Sequence, residues 1–171
     1  MPRFLAALLA LVISAAQAAT LEGRVVRVAD GDTLTVLDSQ KRQYTIRING
    51  VDAPEKGQPF GDRSRQNLAH YVAGKDVRVD WHKKDQYGRL VGQIWVAPPD
   101  CPTCPKTLDV GLAQVRDGLA WHYKRFELEQ TPKDRVRYGK AEHEARSKRV
   151  GLWQDKEPVA PWEWRRRGRE R

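Results

Sequence analysis

Three short segments of this chain carry polar groups that a fold has no structural need of. They are Asp30-Gly31-Asp32, then Arg47 with Asp52 and Glu55, then Asp85-Gln86-Tyr87-Gly88-Arg89. Each has an ordinary explanation when read alone. Asp-Gly is a common hairpin turn, acids just past a turn are usually solvated, and a strand arginine is usually exposed. Read together, they combine carboxylates with arginines and contain neither His nor Cys. An all-oxygen donor set suits Ca²⁺, with Mg²⁺ the less fitting choice, and gives no support to zinc or a thiolate nucleophile.

That combination matches the demands of phosphodiester cleavage. The anionic ester repels a nucleophile, and charge gathers on the phosphoryl oxygens in the transition state. A catalyst therefore needs positive charge at those oxygens and a base to activate water. Asp32 and Asp52, with the backbone carbonyl of Ala53, could hold the ion. Arg47 and Arg89 could fork the phosphoryl oxygens, and Glu55 could be the base.

The elements that must position these residues are legible in the pattern. "GRVVRVADGDTLTVL" reads as a hairpin: Gly23 to Ala29 alternates, the Asp30-Gly31-Asp32 turn follows, and Thr33 to Leu37 resumes. "DSQKR" turns into a third strand, "QYTIRI", which runs to the Asn49-Gly50 turn. In such a meander the start of the second strand lies beside the end of the third, so Asp32 and Asp52 should be neighbours.

"GDRSRQNLAHYVAGK" is a helix with Leu68, Ala69 and Val72 at helical spacing and Gly74 as its stop. Strands "DVRVDWH" and "RLVGQIWVA" come next. A second helix is expected after a Thr107 cap, with Leu108, Leu112, Val115 and Leu119 as its apolar stripe. A third starts at Thr131-Pro132 and runs towards Gly151. Five strands with a helix between the third and fourth is the element order of an OB-type barrel. The expected fold is therefore α+β, mainly β: a five-stranded OB-fold barrel with three packed helices.

Composition bounds the rest. Met1-Pro2-Arg3, the apolar run Phe4 to Ala16, and the small-x-small pattern Ala16-Gln17-Ala18 form a leader over residues 1–18, too short to span a bilayer. The expected product is exported, periplasmic or secreted, with no membrane anchor, and monomeric. Removing the leader costs one positive charge, Arg3, from a formal net charge of +9. A pI near 9.8 favours a polyanionic partner such as DNA or RNA. Cys101 and Cys104, in "PPDCPTCPK", lack the second pair that a four-cysteine zinc site needs and are expected to form a local disulfide. The domain is expected over 19–154. Residues 155–171, "DKEPVAPWEWRRRGRER", read as a mobile basic tail whose Trp162 and Trp164 could stack on bases or dock on the barrel.

"VADGDTLTV", "IRINGVDAPE" and "DQYGRLVG" resemble, in order and spacing, the three motifs of the thermonuclease (staphylococcal nuclease-like) family. The resemblance runs from about Gly23 to Trp153. It implies an OB-fold barrel packed with helices and a calcium-dependent endonuclease that cuts DNA and RNA with little sequence specificity, leaving 3′-phosphate ends. It further implies metal ligation by Asp32, Asp52 and the Ala53 carbonyl, phosphate contacts from Arg47 and Arg89, and base or water-orienting duty for Glu55. Tyr87 matches a tyrosine that contacts a nucleotide phosphate, and Tyr123 lies near another. Two departures stand out: Ala53 replaces a common threonine, and the cysteine-bearing loop looks like an insertion. The rival expectation is an OB module that binds nucleic acid without cutting it. A third is an exported structural domain whose basic charge merely suits the cell envelope.

Overall fold

The structure, a computed structural model, describes residues 19–169; the expected leader lies outside the described residues. The β-branched alternation of the first half produces strands β1 (Ala19–Val28), β2 (Thr33–Leu37) and β3 (Gln43–Ile48). A two-residue strand β4 (Val51–Asp52) precedes helix α1 (Gly61–Val72). Strands β5 (Asp76–Lys84) and β6 (Leu90–Val96) follow.

The five long strands run in the order β3-β2-β1-β5-β6, and a parallel pairing of β3 with β6 closes them into the expected OB barrel. Closure has a direct consequence for the site. Arg47 pairs with Val91, two residues beyond Arg89, so Arg47 on β3 and Arg89 at the entry to β6 lie on one wall. The interior is filled by Val25, Leu34, Val36, Ile46, Ile48, Val77, Val79, Ile94 and Val96, with Leu68 and Val72 of α1 packed against them.

The second half departs from the sequence reading in two places. Leu108–Asp109 is a short strand, β7, that pairs with Trp95 and Val96, so helix α2 spans Val110–Arg116 and begins later than expected. Its cap is Asp109, whose carboxylate accepts from the Leu112 N–H at 3.2 Å, and not Thr107. The Tyr138 hydroxyl donates to the same carboxylate at 2.9 Å, which ties α2 to helix α3 (Pro132–Ser147). Thr131 caps α3 as expected, accepting from the Asp134 N–H at 3.1 Å. Between α2 and α3, the two-residue strand β8 (Trp121–His122) pairs with β4.

The tail is the second departure. Over Pro161–Arg169 it forms a fourth helix, α4, which packs against the body of the domain. Trp162 stacks on Tyr123, ring centroids 5.5 Å apart and planes within 21°, and meets Trp121 edge-on. Trp121 in turn packs on Trp153, in a small apolar cluster with Ala145, Leu152 and Ala160. The preceding segment is pinned where the Gln58 side-chain amide donates to the Val159 carbonyl at 2.7 Å. An arginine-rich stretch reads as solvated. It becomes a packed helix because Trp162 supplies an aromatic anchor large enough to offset the ordering of one short helix.

Cys101 and Cys104 form the expected disulfide in the loop after β6. Among the described residues, no helix is long and apolar enough to cross a membrane.

Candidate active site

The eight residues singled out in the sequence line one cleft of about 720 Å³: Asp32, Arg47, Asp52, Ala53, Glu55, Tyr87, Arg89 and Tyr123. The barrel register brings the first group together. Thr33 pairs with Arg47, and the Ile48 N–H donates to the Asp32 carbonyl at 2.9 Å, so the start of β2 and the end of β3 are fixed side by side.

The Asp30-Gly31-Asp32 turn is clamped from behind. A Cβ at Gly31 would sit 1.8 Å from the Ser64 hydroxyl oxygen and 2.6 Å from the Ala53 Cβ, so only glycine lets the turn press onto α1. The fully buried Gln114 donates to the Gly31 carbonyl at 2.7 Å, and Asn67 donates to Gln114 at 2.7 Å. Neither amide carried a functional signal in the sequence. Their role depends on α1 and α2 meeting behind a turn far away in the chain.

The carboxylates are deeply placed. Asp52 is 1% exposed and Asp32 6%. Asp32 accepts from the Thr33 hydroxyl at 3.0 Å and from the Ala53 N–H at 2.8 Å. Arg47 lies between the two acids, with Nη2 at 3.0 Å from Asp52 Oδ1 and 3.3 Å from Asp32 Oδ2. Its Nη1 donates to the carbonyls of Ile48 and Val51. The fork expected to face phosphate is thus largely engaged with the protein, where it holds the acid pair together.

A third carboxylate, Asp30, lines the same cleft and accepts from the Asp32 N–H at 3.0 Å. Burial, and after it the charge of Asp32, pushes Asp30 up to about 6. Burial also pushes Asp52 up, against the opposing pull of Arg165 and Arg47 and with a further push from Asp32. In both acids burial is the leading cause: it disfavours the charged form and makes an unpaired carboxylate costly here.

Arg89 is built differently. Asp85 Oδ1 accepts from the N–H groups of Tyr87 and Arg89, and Asp85 Oδ2 accepts from Arg89 Nε at 2.7 Å. The guanidinium is thereby aimed along the cleft wall, over the Tyr87 ring at 5.3 Å and within 3.5 Å of the Thr33 hydroxyl. Burial works against ionisation of Asp85, but the bonds from the Arg89 side chain and from the Arg89 and Tyr87 N–H groups outweigh it. They hold its carboxyl below the usual range. Replacing Asp85 with Asn is therefore expected to slow turnover about tenfold through misplacement of Arg89. It should also remove a pH-dependent increment of stability. In the wild type that increment is full above the ordinary Asp value, about 3.9, and fades as pH falls through the lower native value. Urea unfolding of both proteins across acid pH checks this: their stabilities should differ at neutral pH and converge in acid.

Tyr87 stands at the rim, 73% exposed. The Tyr123 N–H donates to the Gly50 carbonyl at 2.9 Å, linking that tyrosine to the turn that carries Asp52. Gly50 sits at φ +76°, and a Cβ there would come within 2.1 Å of the Gln130 side chain, so the turn requires glycine. Glu55 is half-exposed, and its backbone N–H donates to Gln58 at 3.0 Å.

Sequence reasoning missed Arg165. From α4 its guanidinium grips Asp52 with Nη1 at 3.1 Å from Oδ1 and Nη2 at 2.7 Å from Oδ2, while Nη1 also donates to Glu55. The available signal was the spacing Trp162 to Arg165, which puts anchor and cation on one helix face. Among the described residues, no three His, Cys, Asp or Glu side chains already converge on a metal position. The donor chemistry nevertheless fits a hard divalent cation. Asp32, Asp52 and Glu55 offer only oxygen, the donor atom that such an ion prefers.

Comparison with known proteins shows the family of the chain. The family described as staphylococcal nuclease homologue matches residues 45–155. Protein ParB of Escherichia coli is 43% identical over 171 residues, covering 100% of this chain and 94% of that protein. Micrococcal nuclease of Shigella flexneri is 38% identical over 165 residues, 96% of this chain and 91% of that one. Staphylococcal-like nuclease CAN1 of Arabidopsis thaliana is 37% identical over 128 residues, 75% of this chain and 35% of the plant protein. The chain belongs to the staphylococcal nuclease homologue family.

Proposed function

We propose that the protein is a Ca²⁺-dependent endonuclease that hydrolyses phosphodiester bonds of DNA and RNA with little sequence preference and leaves 3′-phosphate ends. One observation carries the reading: in a chain of this family, Asp32, Asp52, Glu55, Arg47 and Arg89 all line one cleft. Asp32, Asp52 and the Ala53 carbonyl would hold the ion, which when bound supplies positive charge at a phosphate oxygen. Arg47 keeps the two acids together. Arg89, held by Asp85, binds the phosphoryl oxygens and stabilises the charge that develops on them. Glu55 takes the proton of a water attacking phosphorus in line, and the 5′-oxygen of the next nucleotide leaves. The O–H bond of water and the P–O5′ bond break as the new P–O bond forms, and the departing 5′-oxygen keeps the bonding pair and takes a proton from solvent water to become a 5′-hydroxyl.

Tyr87 and Tyr123, which both line the cleft, contact the substrate, and the exposed Lys83, Lys84 and Arg125 draw the strand in. Contacts of this kind read backbone and stacking faces more than base edges, which fits relaxed sequence choice. Export is supported by the leader expected over 1–18 and by a disulfide suited to an oxidising compartment.

A plasmid-nicking assay tests the reading. Supercoiled DNA should be nicked and then degraded with Ca²⁺ and left intact with EDTA, and the products should accept label at the 3′ end only after phosphatase treatment. Gel retention without cleavage at every ion tried would return the chain to a nucleic-acid-binding module.

A further inference from the structure

We propose that Arg165 is a tethered competitor of the divalent ion: α4 closes the site by placing a guanidinium on Asp52 and Glu55, and ion binding releases the helix. The inference rests on the metal reading above and adds its regulation. Three observations support it. The first is identity of partners. Arg165 occupies both oxygens of Asp52 and one of Glu55, so it engages the carboxylate proposed as ligand and the one proposed as base. A guanidinium and a cation cannot share those oxygens at bonding distance, and a Glu55 that accepts from Arg165 is poorly placed to accept a proton from water.

The second is that the contact is built into the helix. Trp162, one turn before Arg165, stacks on Tyr123 and touches Trp121, and the Gln58 bond to Val159 fixes the chain just before the helix. Trp162 and Arg165 face the domain together, whereas Arg166, Arg167 and Arg169 are exposed. The third is charge. Asp52 is 1% exposed and lies beside Asp32; Arg47 balances one of these two buried charges, and Arg165 supplies the second cation from within the chain.

Two ligands that exclude each other at one site are linked. The ion binds more weakly by the factor with which the latch is closed, and saturating ion opens the latch. Arg165 itself is only partly buried, 36% exposed, so the latch is a modest one that an ion can displace. Opening moves the guanidinium off the carboxylates and leaves the arginines of α4 free for the phosphates of a bound strand.

The test uses the full chain without nucleic acid. CaCl₂ is titrated calorimetrically into wild type, Arg165→Gln, Arg166→Gln and Asp52→Asn, and amide exchange over 161–169 is followed with and without the ion. Arg165→Gln should bind Ca²⁺ about tenfold more tightly than wild type, the size of a partly exposed bidentate pair. Arg166→Gln, which removes the same charge from an exposed neighbour, should bind like wild type. Amides of α4 should exchange faster in wild type once Ca²⁺ is added, and should already be fast in Arg165→Gln without it. If Arg165→Gln and Arg166→Gln bind alike while Asp52→Asn loses binding, the latch is wrong and the metal site stands. If none of the four proteins binds Ca²⁺, the metal reading fails and the competitor fails with it.

Discussion

Replacing Glu55 with glutamine is expected to slow cleavage by about 10²–10⁴-fold, the usual contribution of a positioned general base. The amide keeps the size and hydrogen-bonding oxygen of the acid but cannot take a proton from water at neutral pH. The fold should barely notice. The Glu55 side chain is half-exposed, so its pair with Arg165 is worth about 1 kcal/mol at most, and the backbone N–H anchors the segment through Gln58. Thermal unfolding of the variant should therefore match wild type, and so should its affinity for a non-cleavable strand. A loss of rate with unchanged binding locates the defect in the chemical step. Wild-type-like cleavage by Glu55→Gln would remove Glu55 from the mechanism.

The second large effect is expected at Arg89. Arg89→Ala should lower turnover by about 10²–10³-fold, as removal of one preorganised donor to the transition state typically does. Arg89→Lys should recover only part of that. A lysine ammonium is a point charge that cannot keep one nitrogen on Asp85 while presenting two others to phosphate. The prediction separates the arginines by their surroundings. Arg89 is held by one carboxylate at the cleft wall, whereas Arg47 is built between Asp32 and Asp52 and onto two carbonyls. Arg47→Ala would leave two buried acids facing each other, so it should cost stability as well as rate. Kinetics and unfolding measured on both arginine variants distinguish the two roles.

What the sequence showed of this site was what is local. Strands β2 and β3 keep a period of two, β1 does so up to its bulge at Val25–Arg27, and the order of the three put Asp32 beside Asp52. The Thr131-Pro132 start of α3 and the Cys101–Cys104 bridge were legible because cap and bridge are complete within a few residues. The start of α2 was misread because the competing signal is long-range. Leu108 and Asp109 pair with β6, and that pairing makes Asp109 the cap. Gln114 looks like a solvated helix position until the Gly31 carbonyl, 83 residues earlier, is found against it. Arg165 was hidden in a run of arginines. Within "WRRRGR" the arginines look alike, and the spacing from Trp162 singles out Arg165 only once Trp162 is known to stack on Tyr123.

The central claim is that a divalent ion held by Asp32 and Asp52 makes this cleft a nuclease. The most direct test is the initial cleavage rate of purified full-length protein as Ca²⁺ is titrated from an EDTA-treated start, with Asp52→Asn measured beside it. Wild type should show no cleavage without ion and a saturable rise in rate with Ca²⁺, and Asp52→Asn should show little or no rise at the same concentrations. Cleavage that persists in EDTA, or an Asp52→Asn titration that overlays wild type, would contradict the claim.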